Sequence, residues 1–185
     1  QDTVILPGTM LQGKTKVGKN CILGPDTQLT DVICGDGNHL NRVYAHSCEL
    51  GDNNEIGPFV HLRPETCLHN DIKIGNFVEV KNSDVDDGTK LPHLIYCGDS
   101  DLGKNVNFGC GTVTVNFDGK NKHRCTIDEH AFIGCNTNLV APVHVGAKAF
   151  TAAGSTITKD VPAKALAVGR AKQVNIENWV KEDTY

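Results

Sequence analysis

Residues 50–80, LGDNNEIGPFVHLRPETCLHNDIKIGNFVEV, place an aliphatic side chain at every sixth position. The positions with this spacing are Leu50, Ile56, Leu62, Leu68, Ile74 and Val80. A period of six matches neither the 3.6-residue repeat of an α-helix nor the alternation of an ordinary strand. It fits short strands joined by tight turns, three to a coil of about 18 residues, which stack as a parallel β-helix with the aliphatic residues inside.

The same period recurs in three further runs. They are Ile5, Leu11, Val17, Leu23, Leu29; Ile127, Ile133, Leu139, Val145, Thr151, Ile157; and the shorter Tyr96, Leu102, Phe108, Thr114. A small or β-branched residue follows four positions later, at Thr27, Val60, Val78, Val106, Thr112, Thr137, Val143 and Ala149. We therefore predict an all-β fold in which residues 5–157 form about eight or nine stacked coils.

Three segments depart from the pattern. Residues 115–126, VNFDGKNKHRCT, are polar and basic with a turn signal at Asp118-Gly119, and predict a projecting loop. Residues 162–185 predict a short C-terminal tail after a β-helix domain of residues 1–161. From Val80 to Tyr96 the step is 16 rather than 18, a slip that contains His93. Gln1 stands in mid-pattern, so we expect the chain to be part of a longer protein.

The composition argues against several classes of function. The net charge of −4 does not favour sequence-independent nucleic-acid binding, and no apolar run reaches the length of a membrane span. None of the eight cysteines forms a C-x-x-C pair, so we expect reduced, mostly buried thiols. The eight histidines are scattered, so no metal site is predicted, although a site shared between subunits stays open.

Two cations stand where hexads commonly have glycine. Arg63 follows Leu62 and Lys81 follows Val80, so the two are 18 residues apart and should stack one above the other. Stacked cations repel each other unless an anion lies between them, and a phosphate has the matching charge and geometry. Two independently solvated surface charges are the alternative.

Five blocks resemble one family. They are residues 56–64, IGPFVHLRP; 74–83, IGNFVEVKNS; 93–99, HLIYCGD; 105–125, NVNFGCGTVTVNFDGKNKHRC; and 139–146, LVAPVHVG. They resemble the C-terminal acetyltransferase domain of the bacterial bifunctional N-acetylglucosamine-1-phosphate uridyltransferase/glucosamine-1-phosphate N-acetyltransferase. The resemblance covers about residues 56–179, whereas residues 1–55 match in hexad style only.

The resemblance implies a cytoplasmic homotrimer of left-handed β-helices with active sites between subunits. It implies acetyl transfer from acetyl-CoA to the amine of glucosamine 1-phosphate, a step towards UDP-N-acetylglucosamine and the peptidoglycan of the cell wall. No metal is expected for this reaction. The uridyltransferase domain of the family has no counterpart here, so we expect the chain to lack that activity.

The resemblance also assigns roles to residues. His93 corresponds to the general base, because imidazole titrates in the range needed to deprotonate an amine, and Glu79 to a residue that orients it. Arg63, Lys81 and Lys122 correspond to phosphate and sugar contacts, and Tyr96, Asn107 and Asn116 to polar groups that hold the sugar.

Five positions match residues of the family's acetyl-CoA channel. Small residues at Cys110, Cys135 and Ala153 leave room for the pantetheine arm, Arg170 matches a contact to a CoA phosphate, and Trp179 matches an aromatic near the cofactor. Cys135 stands where the family pattern has serine, and a thiol is the weaker hydrogen-bond donor. Phe117 stands where a tyrosine is usual, which removes one hydroxyl from the sugar pocket.

Two other classes of function stay open. One is a hexapeptide acyltransferase that acts on a different amino sugar or nucleotide sugar. The other is a non-catalytic stalk or assembly module, because stacked hexads also occur without chemistry. A stalk has no need of Arg63, Lys81, His93 and Asn116 together, and this combination favours the enzyme.

Overall fold

A computed structural model describes residues 1–180 as a stack of triangular coils, with residues 181–185 outside the described part. The strands of successive coils lie on three faces, and no helix occurs among residues 1–180. Nothing in that range therefore has the length and apolar character of a membrane-spanning helix. The strands β1–β25 follow in chain order.

The strands that lie only on the first face are β1 Val4–Ile5, β4 Ile22–Leu23, β7 His39–Leu40, β10 Glu55–Ile56, β17 Asn107–Phe108, β20 Phe132–Ile133, β23 Phe150–Thr151 and β25 Leu166–Ala167. Those that lie only on the second face are β2 Met10–Gln12, β5 Gln28–Thr30, β8 Val43–His46, β11 Val60–Leu62, β18 Val113–Val115, β21 Asn138–Val140 and β24 Thr156–Ile157. Two nine-residue strands, β13 Lys73–Lys81 and β15 Lys90–Gly98, run across both faces. These two strands join both faces into one 17-stranded sheet.

The third face is a separate eight-stranded parallel sheet. Its strands are β3 Lys16–Val17, β6 Ile33–Cys34, β9 Glu49–Leu50, β12 Cys67–Leu68, β14 Asp84–Val85, β16 Ser100–Leu102, β19 Cys125–Ile127 and β22 Val143–Val145. Strand pairing between coils is parallel throughout the named strands, as the hexad pattern predicts.

Coil length is less regular than the sequence predicts. Leu40 pairs with Ile56 after 16 residues, Val80 with Cys97 after 17, and Leu62 with Val80 after 18. The predicted step from Val80 to Tyr96 is therefore wrong by one residue. Cys97 is the buried residue of that coil, whereas Tyr96 is half-buried and belongs to the outward-facing positions.

The core is a column of aliphatic side chains along the axis of the stack. The predicted run from Leu50 to Val80 is at most 3% exposed, and the predicted small residues, from Thr27 to Ala149, are all buried beside it. Burying each large aliphatic side chain contributes about 1.5–3 kcal/mol relative to leaving it in water. Ile5 and Leu11 are 55% and 41% exposed because no coil of this chain lies beneath them.

The cysteines behave as small apolar residues. All eight are free, and Cys21, Cys34, Cys48, Cys97 and Cys125 are buried. Burial raises the pKa of the Cys48 and Cys125 thiols to about 12, which keeps them protonated and unreactive. The expectation that most of the thiols are buried is confirmed.

The β-helix extends beyond residue 161, the predicted end of the domain. Val161 bridges to Val145, and Leu166 and Ala167 pair with Phe150 and Thr151. Residues 170–180 contain no strand, and Trp179 is 76% exposed. The predicted tail to residue 185 lies partly outside the described residues.

Candidate functional site

A cluster of cations lies at the corner between the second and third faces. Arg63 follows β11 and Lys81 ends β13; Leu62 and Val80, which precede them, are register partners, so the two side chains stack as predicted. Each cation has a carboxylate partner. Arg63 Nη1 donates to Glu79 Oε1 at 2.8 Å, and Lys81 Nζ lies 3.5 Å from Asp99 Oδ2.

Lys122 joins this cluster from the projecting loop. Its pKa is lowered, first by the contact of its amine with the Lys81 ammonium and then by the charges of Lys81 and Arg63. The same contact with Lys122, followed by the charge of Asp99, raises the pKa of Lys81. One of the two amines therefore holds its proton at the expense of the other. A bound anion would remove this conflict.

Asp99 is the centre of the polar network beneath the cations. It is 3% exposed and accepts hydrogen bonds from the side-chain amides of Asn82 and Asn116. Burial raises the pKa of its carboxyl, but the hydrogen bonds from the two amides and the charge of Lys81 outweigh burial, so the net pKa is lowered. Asn116 Nδ2 also donates to the Tyr96 hydroxyl at 3.3 Å.

The loop that carries Lys122 is held by its own hydrogen bonds. Phe117 and Lys122 form an antiparallel bridge, and the Asp118 carboxylate accepts from the backbone N–H groups of Lys120 and Asn121. Arg124 ties the end of the loop to Asp101 and to backbone oxygens of the neighbouring coils. The loop thus holds Lys122 against the cluster.

His93 lies at the opposite edge of the second face, at the corner with the first face. The next residue, Leu94, has a φ of 51°, a left-handed conformation that turns the chain sharply at this corner. The imidazole is exposed, and its Nδ1 lies 3.0 Å from Oδ1 of Asn76. Since an amide oxygen only accepts, Nδ1 carries the proton and Nε2 keeps a free lone pair.

Glu79 does not share this corner. Its carboxylate accepts from Arg63, and its register partner in the next coil is Tyr96. The residue that contacts the imidazole of His93 is Asn76, which the sequence analysis did not single out. Glu79 therefore lies between His93 and the cations, on the outward side of the second face.

The predicted channel residues lie along the same corner in the coils that follow His93. The backbone N–H of Gly111 donates to the oxygens of His93 and Leu94 at 3.3 and 3.1 Å. In the next coils Asn136 N–H donates to Cys110 O, and Gly154 N–H donates to Cys135 O, at 2.7 and 2.8 Å. The resulting column, which we call the His93 column, contains Asn76, His93, Cys110, Cys135 and Ala153.

Close packing of the backbone keeps this column straight. A Cβ on Gly75 would lie 1.9 Å from the oxygen of Pro92, and one on Gly134 would lie 2.7 Å from the nitrogen of Ala153. Only glycine permits such contact between coils. Arg170 extends the column, because its Cδ lies 3.9 Å from the point where a Cβ on Gly154 would lie.

Two predicted residues lie apart from both clusters. Asn107 is on the first face, where it pairs in register with Lys90 and Phe132. Trp179 follows the last coil and is largely exposed. Neither is brought to His93 or to the cations within this chain.

An open groove of about 990 Å³ covers much of the second face between the two edges. Its walls include Glu79, Tyr96 and an exposed apolar set of Tyr44, Phe59, Phe77 and Leu94. The rings of Phe59 and Phe77 stack with their centroids 5.5 Å apart. An apolar surface of this size beside polar groups is typical of a binding site or an interface.

The fold is that of known acyltransferases. The structure of Arabidopsis UDP-N-acetylglucosamine acyltransferase aligns with a TM-score of 0.52 and 16% identity, covering 91% of this chain and 70% of that chain. No protein-family model matches the chain. The class is the left-handed parallel β-helix of hexapeptide repeats, as predicted.

Sequence comparison finds similar proteins of one kind. The chain is 53% identical over 180 residues to the bifunctional protein GlmU of Geobacillus sp. (strain WCH70), covering 97% of this chain and 39% of that protein. GlmU of Caldanaerobacter subterraneus is 55% identical over 182 residues, covering 98% and 40%. The chain is thus similar over nearly its whole length to one part of GlmU, and it spans about two fifths of the length of these relatives.

Proposed function

We propose that the chain transfers acetyl from acetyl-CoA to the amine of glucosamine 1-phosphate, giving N-acetylglucosamine 1-phosphate. The observation that carries this proposal is the placement of two clusters at the two edges of one face. The His93 column supplies a base beside small residues, and the cation cluster of Arg63, Lys81 and Lys122 supplies an anion site.

A sugar phosphate would lie between the two clusters. Gly98, the register partner of Lys81, is five residues beyond His93, and the chain turns between them at Leu94. The Arg63 guanidinium bridges part of this span, because it reaches back to Glu79 in the middle of the face. An amino sugar phosphate bound with its phosphate at Arg63 would present its amine towards His93.

The chemistry follows from the tautomer of His93. The bound ammonium must lose one proton to become a nucleophile, and Nε2 of His93 accepts a second as nitrogen attacks the thioester carbonyl carbon, while the third stays on the amide nitrogen. The C–N bond forms, the C–S bond breaks, and the CoA thiolate takes one proton. Overall, one ammonium and one thioester react to give one amide, one thiol and one released proton.

In this proposal acetyl-CoA lies along the His93 column, with its acyl group near Cys110 and Cys135 and a CoA phosphate near Arg170. The small exposed side chains of Cys135 and Ala153 leave the corner open to a pantetheine arm. Trp179 remains a proposed cofactor contact, and Asn107 a proposed sugar contact. We infer a cytoplasmic reaction, because acetyl-CoA is a cytoplasmic metabolite.

We also propose a homotrimer in which a neighbouring copy covers part of the second face. The exposed apolar set of the groove supports this, since Phe59, Phe77 and Leu94 are each more than half exposed in the single chain. A neighbouring copy would also bring residues that lie apart in one chain, such as Asn107, to a shared site. Analytical ultracentrifugation should give three chains per particle, and a fully active monomer would contradict the proposal.

A thiol-release assay tests the activity. We expect CoA release with acetyl-CoA and glucosamine 1-phosphate, and little with glucosamine 6-phosphate, because the phosphate then lies on the wrong side of the ring for the cations. His93→Ala should fold as the wild type and lose most turnover. The fold shared with UDP-N-acetylglucosamine acyltransferase makes UDP-sugars the second class to assay, and release with these alone would favour that alternative.

A further inference from the structure

Three side chains with different donor atoms converge on the third face, away from the His93 column. Cys67 and Asp84 are register partners in neighbouring coils, on β12 and β14. His69 follows β12, and its backbone N–H donates to Val85 O at 2.9 Å. The Cys67 thiol, a His69 ring nitrogen and an Asp84 carboxylate oxygen all lie within 4.8 Å of one another.

The backbone fixes these positions independently of the side chains. Parallel pairing sets Cys67 beside Asp84 in the neighbouring coil, and the same ladder continues from Leu68 to Val85, which anchors His69. His69 Nε2 already lies 3.0 Å from Asp84 Oδ1, so the ring is turned towards the carboxylate. The three ligands therefore come from two rigid coils rather than from a flexible loop.

A second group around His69 is less suited to bind a cation. It consists of His69, Asp86 and Asp87. The carboxylate of Asp87 is already occupied, because it accepts from the backbone and side-chain N–H groups of Asn70 and pairs with Lys104 Nζ at 2.9 Å. By contrast, the Cys67 thiol makes no hydrogen bond within residues 1–180, and the only side-chain partner of Asp84 there is His69.

The donor set selects the kind of ion. Sulfur, imidazole nitrogen and carboxylate oxygen together are typical ligands of Zn²⁺, which takes four ligands in a tetrahedron. Mg²⁺ and Ca²⁺ prefer oxygen ligands alone and have no use for the thiolate. The His69 and Asp84 side chains are 43% and 55% exposed, so solvent can reach the site and supply a fourth ligand.

We propose that Cys67, His69 and Asp84 form a binding site for Zn²⁺ or another thiophilic divalent ion, separate from the proposed acetyl transfer. The ion would link two successive coils through three protein ligands and one water. Because binding occurs only in the folded stack, it would stabilise the coils that also carry Arg63 and Lys81. It takes no part in the chemistry at His93.

Cobalt substitution tests this site directly. Co²⁺ added to the whole chain should give a thiolate-to-cobalt charge-transfer band and the visible bands of a tetrahedral site, at one ion per chain. We expect Cys67→Ser to lose the charge-transfer band. We expect His69→Gln and Asp84→Asn to weaken Zn²⁺ binding, measured by competition, at least about tenfold. Unchanged binding in any of these three variants would overturn the proposal.

Two matched controls locate the site. His144→Gln alters a similar exposed pair, with Nε2 2.9 Å from Asp128 Oδ2 but without a cysteine, and should keep the wild-type band. Cys135→Ser removes the exposed thiol of the His93 column and should also keep it. Loss of the band in Cys135→Ser would assign the ion to that column and overturn the proposal. A zinc-dependent rise in Tm in the wild type but not in Asp84→Asn gives a second readout.

Discussion

Asn76 holds His93 from the coil below, with its Oδ1 3.0 Å from Nδ1 of the imidazole and the two residues in register. The contact fixes both the ring and its tautomer, since the amide oxygen requires a proton on Nδ1. Because Asn76 and His93 lie on neighbouring strands of the stack, the contact presents Nε2 outward from a rigid part of the fold.

This relationship predicts different kinetics for the two residues. Removing the proposed base by His93→Ala should lower kcat by about 10²–10⁴-fold, the usual contribution of general-base catalysis. Asn76→Ala should lower kcat by about tenfold with little change in KM, because the ring loses orientation but keeps its lone pair. Steady-state kinetics with glucosamine 1-phosphate separate the two effects.

Asn76→Asp is the informative partner variant. A carboxylate beside the imidazole favours the charged imidazolium and raises its pKa, so the acid limb of the kcat profile should move to higher pH. A purely structural role for Asn76 would leave that limb in place. An unshifted profile in Asn76→Asp would show that position 76 does not act through His93.

Lys122 should make sugar-phosphate binding depend on pH. Its pKa is lowered from the ordinary value of 10.5 by Lys81, so its ammonium loses its proton at a lower pH than a free lysine does. A bound phosphate favours the protonated form, and binding should therefore take up protons. Calorimetry in buffers of different ionisation enthalpy measures that uptake, and KM should rise with pH before pH 10.5 is reached.

Lys122→Arg tests the origin of this dependence. A guanidinium stays charged throughout the accessible range, so the variant should bind without proton uptake and with a flatter KM profile. Lys120→Arg, in the same loop, is the matched control and should behave as the wild type. Equal proton uptake in the wild type and in Lys122→Arg would assign the titrating group elsewhere.

Asp99 should contribute stability that acid removes. Its pKa is lowered in the folded chain, so its contribution is fully present above the ordinary value of 3.8 and is lost as the pH falls through the lower, folded value. Asp99→Asn puts an amide beside the amides of Asn82 and Asn116 and leaves Lys81 without its carboxylate. We expect a loss of about 2 kcal/mol in the free energy of unfolding at neutral pH.

Denaturant unfolding at several pH values measures both the size of this stability loss and the direction of its pH dependence. The difference between the wild type and Asp99→Asn should shrink as the pH falls below 3.8. The control is Asp26→Asn, whose carboxylate is 64% exposed and 3.6 Å from Arg42, and which should cost less than about 1 kcal/mol. A difference that persists unchanged in acid would mean that the charge of Asp99 is not what stabilises the corner.

The sequence predicts the fold well because the period of six is a direct consequence of one strand and one turn per hexad. It does not predict coil length, since a turn that is one residue shorter leaves the same hydrophobic pattern. Cys97 illustrates the limit. The expected aliphatic position falls on Tyr96, and only the register of β13 with β15 shows the smaller cysteine inside.

The candidate site can be predicted only in part from the sequence, because coil length varies. Cys135 and Ala153 share a phase one regular coil apart, whereas His93 precedes Cys110 by a 17-residue coil and the projecting loop separates Cys110 from Cys135 by 25 residues. Sequence spacing alone therefore does not align His93 with Cys110, Cys135 and Ala153. Asp99 was missed because its partners come from a preceding coil and from the start of the loop.

Cys135 should be the thiol through which alkylation blocks the proposed acetyl transfer. It is the exposed cysteine of the eight and lies in the His93 column, so N-ethylmaleimide on its sulfur would block the proposed path of the pantetheine arm. Cys97 is buried, and burial raises its pKa to about 11, which makes it slow to react. The rate of CoA release should therefore fall in proportion to the fraction of Cys135 that is modified. Peptide mass spectrometry measures that fraction.

Variants and ligand protection make this test specific. Cys135→Ser should keep activity and resist inactivation, since a hydroxyl keeps the small volume and removes the reactive sulfur. Cys67→Ser, which removes a half-buried thiol on the third face, should be inactivated as fast as the wild type. Saturating acetyl-CoA should slow the modification of Cys135. Full activity in a chain alkylated at Cys135 would place acetyl-CoA outside the His93 column, because the adduct would fill the corner between Cys110 and Ala153.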